Sequence, residues 1–235
     1  MCYNDSKKNS APGAQRGESV SSVFFILELI GTVAFSLSGA LTAMKRNMDI
    51  FGTCVLGMTT AVGGGIIRDL LLGVTPPTAL YEPVHSLLAL AVAAFTFLPF
   101  MQRFLSLNKS RVYEALSLGA DSLGLGIFTV IGVNAGFAAL ATPNVFLSVF
   151  LGVITGVGGG VLRDVMAGQP PRIFVKHVYA SAALMGALLC ALLRGVCGEL
   201  WASVIGTVVI LVLRILAAVF HWKLPKPTYL MKDKE

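Results

Sequence analysis

The chain has 235 residues, 55% hydrophobic and 13% charged, with a formal net charge of +6. Soluble domains carry about 25% charged residues, so this composition cannot coat a water-facing surface. The positive charge is scattered among loops rather than gathered into one patch, which argues against a nucleic-acid-binding role.

Residues 1–21 are polar, rich in Ser, Asn and Lys, and read as a disordered tail. Seven apolar spans are predicted after it, at 22–44, 51–73, 84–104, 114–139, 145–168, 175–193 and 199–221. Their lengths suit a hydrocarbon layer of about 30 Å crossed at about 1.5 Å per residue. The first span is too long for a signal peptide and lacks a small-x-small site after it. Trp201 and Trp222 flank the last span as an aromatic belt would. Residues 222–235 form a basic tail. The fold class is therefore an all-α integral membrane protein with seven transmembrane helices.

Eleven Lys and Arg residues fall in the loops after odd-numbered spans and in the C-terminal tail, against four on the opposite side. The positive-inside rule then puts the C-terminus in the cytoplasm and the N-terminus outside. Cys2, Cys54, Cys190 and Cys197 have neither metal nor disulfide spacing, and no metal or cofactor is expected. His85, His177 and His221 lie near span ends and read as interfacial residues; Arg214 reads as a snorkelling or packing residue.

The chain repeats itself. Residues 57–77 read GMTTAVGGGIIRDLLLGVTPP, and residues 152–171 read GVITGVGGGVLRDVMAGQPP. Upstream, Glu28, Gly31, Phe35 and Gly39 match Asp121, Gly124, Phe128 and Gly132 at an offset of 93. The offset is 95 in the glycine triplets and 94 after the prolines. Residues 22–104 and 114–193 are thus two three-helix repeats, and 199–221 is a seventh helix. An odd number of spans per unit makes the second copy enter from the opposite side, an inverted 3+3 repeat plus one.

Gly63, Gly64, Gly65 and Gly158, Gly159, Gly160 fall near the middle of their spans. Three successive glycines cost a helix about 3 kcal/mol relative to alanine. They are expected to kink two antiparallel helices that frame a solute path, with close packing and no pore as the alternative. Arg68, Asp69, Arg163 and Asp164 lie inside the hydrocarbon, where ionisable groups mark function or a structural clamp. Neighbours in sequence do not face each other on a helix. The expected pairs are therefore Glu28–Arg68 and Asp121–Arg163, with Asp69 and Asp164 less compensated. No nucleophile–base or metal constellation of an enzyme is evident.

The doubled Gly-Gly-Gly-x-x-Arg-Asp, each followed by Gly and Pro-Pro, resembles the bacterial inner-membrane glycine-transporter-domain family, relatives of the trimeric intracellular cation (TRIC) channels. The resemblance covers about residues 23–220. It implies a TRIC-like 3+3+1 fold, a homotrimer, and a pathway in each protomer lined by the two kinked helices. The family's kink glycines fall on 63–65 and 158–160 here, and its Arg-Asp pairs on 68–69 and 163–164. The channels carry Lys and Arg one turn apart on the fourth helix, whereas 113–138 here holds neither. The leading expectation is movement of glycine or a similar small zwitterion across the cytoplasmic membrane. The alternatives are a monovalent cation (K⁺/Na⁺) channel and a non-transporting scaffold.

Overall fold

The computed structural model describes residues 12–107, 109–175, 178–220 and 222. Helices α1 (Pro12–Lys45) and α2 (Ile50–Leu71) are followed by a short α3 (Thr78–Tyr81), then α4 (Val84–Phe97) and α5 (Pro99–Leu107). The pattern returns as α6 (Lys109–Ala139), α7 (Val145–Met166), a short α8 (Arg172–Val175) and α9 (Ala180–Cys197), and α10 (Glu199–Val219) comes last.

Equivalent residues start and stop the two motif helices. Asp49 accepts the Gly52 N–H at 2.7 Å at the start of α2, and Asn144 accepts the Leu147 N–H at 2.9 Å at the start of α7. A side-chain acceptor there satisfies a backbone donor that the helix leaves open. Both helices stop just before a glycine with positive φ, +73° at Gly73 and +63° at Gly168. Glycine takes that conformation without a Cβ penalty, and the Pro-Pro pair beyond prevents the helix from resuming.

Among the described residues, six helices are long and apolar enough to cross a membrane. The predicted span 84–104 is not one helix. Leu98 is extended, at φ −58° and ψ 143°, because the following Pro99 disfavours helical backbone before it. The 14 residues of α4 reach only about 21 Å at helical rise. A second departure lies in the tail predicted as disordered, which is helical from Pro12. Proline suits the first helical position, and a helix already nucleated in the apolar span extends at little cost. Residues 1–11, residues 223–235 of the basic tail, His177 and His221 lie outside the described residues. Phe51, Phe146, Phe174 and Val196 are largely exposed, which water disfavours and a bilayer accepts.

At the centre, α2 and α7 cross with opposite chain directions. A methyl group on Gly64 would sit 2.1 Å from the Thr155 carbonyl oxygen, and one on Gly159 would sit 2.1 Å from the Thr60 carbonyl oxygen. These contacts exchange when the two sequence copies are exchanged. The same holds between α1 and α6: Gly124 lies against Phe35 and Gly31 against Phe128, and the two rings stack with centroids 5.2 Å apart. The triplets do not break their helices, since α2 runs unbroken through 63–65 and α7 through 158–160. Close approach of two backbones is what Gly64 and Gly159 provide.

Substitution should separate the glycines by role. Gly64→Ala and Gly159→Ala each drive a methyl group into backbone, and each is expected to destabilise the protein by roughly 1–3 kcal/mol. Gly65 has only the Arg68 guanidinium near its Cβ direction, at 3.9 Å. Gly65→Ala should therefore leave the thermal unfolding midpoint of the detergent-purified protein unchanged or raised.

Candidate functional site

In the second copy, the charged residues gather around Asp121. This carboxylate is fully buried and meets three guanidinium groups: Arg163 Nη1 at 2.6 Å, Arg214 Nη2 at 2.6 Å and Arg172 Nη1 at 3.1 Å. Arg163 Nη1 also donates to Ser38 Oγ at 2.7 Å, which ties α7 to α1. Arg214 donates to Ser122 Oγ at 3.2 Å and lies over the Tyr179 ring at 4.4 Å. The expected Asp121–Arg163 pair is present. Arg214 is part of the cluster rather than a snorkelling residue, because α10 packs its last turns against α6.

Asp164 is not a spare acid. Its Oδ1 accepts from Arg163 Nε at 2.8 Å and Gln169 Nε2 at 2.9 Å, and its Oδ2 accepts from the Arg172 backbone N–H at 2.8 Å. Asp69 is bound in the matching way: Oδ1 accepts from Arg68 Nε at 2.9 Å and Nη2 at 2.7 Å, and Oδ2 accepts the Thr78 N–H at 2.9 Å. Each aspartate thus fastens the short helix that follows its motif. The reading of Asp69 and Asp164 as less compensated is corrected. The spacing rule failed because a long arginine side chain can fold back along the helix to its own neighbour.

That folding-back removes the expected Glu28–Arg68 pair. Arg68 is engaged by Asp69, and Glu28 instead lies 3.5 Å from His85 Nε2. Its side chain is 34% exposed, against 0% for the equivalent Asp121. The two copies therefore present opposite versions of one site. Where the second has Arg172 and Tyr179, the first has Thr78 and His85 at the same offset, and Arg214 comes from the helix outside the repeat.

Two cavities flank the central crossing. One, of about 600 Å³, is lined by Glu28, Arg68, Asp69, Asn134 and Glu199 among others. The other, of about 780 Å³, is lined by Thr42, Lys45, Arg46, Glu114, Arg172 and Arg214 among others. They lie at opposite ends of the antiparallel α1–α6 pair. Between them, Gly63, Gly64, Gly158 and Gly159 are buried, and Phe35 and Phe128 stack. The glycine triplets line neither cavity, and Gly64 and Gly159 pack against helix backbone between them. Arg172, His85 and Arg214 were legible only as loop, interfacial and snorkelling residues. Aligning the second half of each repeat residue by residue is the signal that singles out the first two.

The sequence model of a family described as "Glycine transporter" matches residues 25–100 and 118–195. The UPF0126 inner membrane protein YadS of Escherichia coli (strain K12) is 39% identical over 202 residues, covering 85% of this chain and 93% of that protein. The UPF0126 membrane protein YvgT of Bacillus subtilis (strain 168) is 35% identical over 204 residues, covering 87% and 96%. Among solved structures, a TRIC cation channel studied for its conductance superposes with a TM-score of 0.75 at 38% identity, covering 88% of this chain and 98% of that one. A TRIC trimeric intracellular cation channel orthologue from Rhodobacter sphaeroides gives 0.78 at 34% identity, covering 86% and 100%.

The two carboxylates should respond differently to neutralisation. Asp121→Asn leaves buried guanidinium groups facing a neutral amide and is expected to cost roughly 3–5 kcal/mol. Glu28→Gln should cost less than about 1 kcal/mol, as for a partly exposed pair. Thermal unfolding of the two variants beside the parent checks the order.

Proposed function

The chain belongs to the glycine transporter family, and on that premise we propose that it moves a small solute bearing a positively charged group across the bacterial cytoplasmic membrane, with glycine or a similar zwitterion as the cargo the charges fit best. The observation that carries this reading is the half-exposed Glu28 carboxylate on one cavity, set against Lys45, Arg46 and Arg172 on the other. Glu28 is placed to receive an ammonium group. The basic cavity, at the other end of α1, suits the carboxylate of a cargo molecule entering or leaving on that side. The unbroken α2 and α7 leave no free helix ends at the triplets, so side chains rather than backbone N–H groups are the binding groups.

A second reading has its own support. TRIC cation channels at 38% and 34% identity share the fold over nearly the whole chain. Glu28 would then attract K⁺ or Na⁺ at the pathway mouth. In both readings the layer formed by Gly64, Gly159, Phe35 and Phe128 must open. The reciprocal contacts support two inverted three-helix units, 22–104 and 114–193, with α10 added. Counting the short α4 as a crossing gives seven, with the Glu28 cavity outside and the basic cavity facing the cytoplasm, as the loop charges favour. A homotrimer follows from the likeness to trimeric channels.

Purified protein in liposomes tests the cargo. Glycine transport predicts saturable uptake of labelled glycine, competed by unlabelled glycine. Cation conduction predicts a K⁺ flux that grows in proportion to the gradient. Glu28→Gln should reduce whichever is found by about tenfold or more, as removal of a charged binding partner does. Silence in both assays overturns the reading.

A further inference from the structure

Glu28, which lines the 600 Å³ cavity, is backed by His85, a side chain whose charge a single proton changes. His85 Nδ1 lies 3.4 Å from Thr32 Oγ1, and Nε2 lies 3.5 Å from Glu28 Oε2. The Phe25 ring stands edge-on to the imidazole at 5.7 Å between centroids, which restrains its rotation. The Thr32 hydroxyl can donate to Nδ1, which leaves Nε2–H facing the carboxylate in the neutral ring, a long contact of 3.5 Å without charge. Protonation of the ring adds a positive charge and turns that contact into an ion pair.

We propose that Glu28 and His85 form a proton-operated gate on the cavity that admits the cationic group of the cargo. In the protonated state the imidazolium draws Glu28 into an ion pair, and the carboxylate is no longer available to the cargo. In the neutral state Glu28 is released and the mouth is negative. The proposal deepens the transport reading and rests on it.

Comparison of the two copies supports the assignment. The residue matching His85 is Tyr179, whose hydroxyl is 3.5 Å from Asp121. Phenol does not titrate near neutral pH, and guanidinium does not lose its proton in proteins. The Asp121 site is therefore indifferent to physiological pH, while the Glu28 site contains the one side-chain type that changes charge there. The charged groups acting on Glu28 from the neighbouring elements are Arg68 and Asp69 on α2 and Glu82 beside α4. Glu199 of α10 lines the same cavity. Arg68 and Asp69 neutralise each other through their ion pair at 2.7 Å, Glu199 is paired with Arg194 at 3.0 Å, and Glu82 adds a negative charge that the His85 imidazolium opposes.

The test is flux of K⁺ and of labelled glycine through the full-length protein in liposomes, with pH clamped equally on both sides. Flux at about pH 7.5 should exceed flux at about pH 5.5 by roughly five- to tenfold. His85→Tyr, which installs the side chain of the second copy, should flatten that ratio to near one. His85→Gln serves the same purpose if the tyrosine does not fit. A merely structural role for His85 would lower flux at every pH and leave the ratio intact, and that result overturns the gate. Parent flux that is level across the range also overturns it, while leaving the transport reading standing. Silence at every pH overturns both.

Discussion

Contact between two backbones at Gly64 and Gly159 sets the spacing of everything else. In lipid no hydrophobic force draws helices together, so association depends on packing and on small residues that let backbones approach. The methyl-to-carbonyl distance of 2.1 Å that any side chain would meet there shows how little room remains. Thr60 and Thr155 fit that space because each hydroxyl donates back to its own helix, to Leu56 O and Leu151 O, both at 2.6 Å. Gly39 and Gly132 then bring α1 and α6 against the same two threonines. Four helices thus converge on one point, and the cavities are what the bundle leaves open on either side of it.

Around that point the charges are arranged unequally. Burying ions costs several kcal/mol each unless geometry and hydrogen bonds compensate. The Asp121 site is densely paired, with three guanidinium groups on its carboxylate and Asp164 shared between two of them. Such a cluster holds α1, α6, α7, α8 and α10 together and resists opening. The Glu28 site has longer contacts, greater exposure and fewer partners. Local opening is drawn from the less stable parts of a structure, so motion is expected to begin at Glu28.

Much of this was legible in the sequence, for identifiable reasons. The repeat, the helical class, the meeting of the two triplets and the Asp121–Arg163 pair follow from periodicity and a constant offset, which are properties of the chain itself. What was missed depends on tertiary detail. Helix propensity favours kinks at the triplets over the alternative of close packing, but a packed interface overrides propensity, and close packing is what Gly64 and Gly159 show. Arg68 and Asp69 were read as non-facing because the spacing rule concerns Cβ positions, while the guanidinium is long enough to return. Span 84–104 was read as continuous because Pro99 lies in an otherwise apolar run. For Arg214 the sequence leaves snorkelling and packing open, because nothing in it says that α10 turns the side chain inward onto Asp121.

The helix outside the repeat explains why the two ends cannot behave alike. Near the first cavity, Ser203 of α10 accepts from Asn134 of α6 at 2.9 Å, and near the second, Arg214 of α10 bonds Ser122 and Asp121 of α6. Helix α6 is therefore gripped along its length by an element with no counterpart for α1. Along α1 the bonds tighten toward the C-terminal half: 3.5 Å at Glu28 and 3.4 Å at Thr32, but 2.6 Å from Ser36 to the Ala89 carbonyl and 2.7 Å from Arg163 to Ser38. Two sequence copies of one helix thus become a fixed post and a lever. The loosely held end of the lever carries Glu28, so the carboxylate that would meet a cargo sits where α1 has its longest polar contacts among those four.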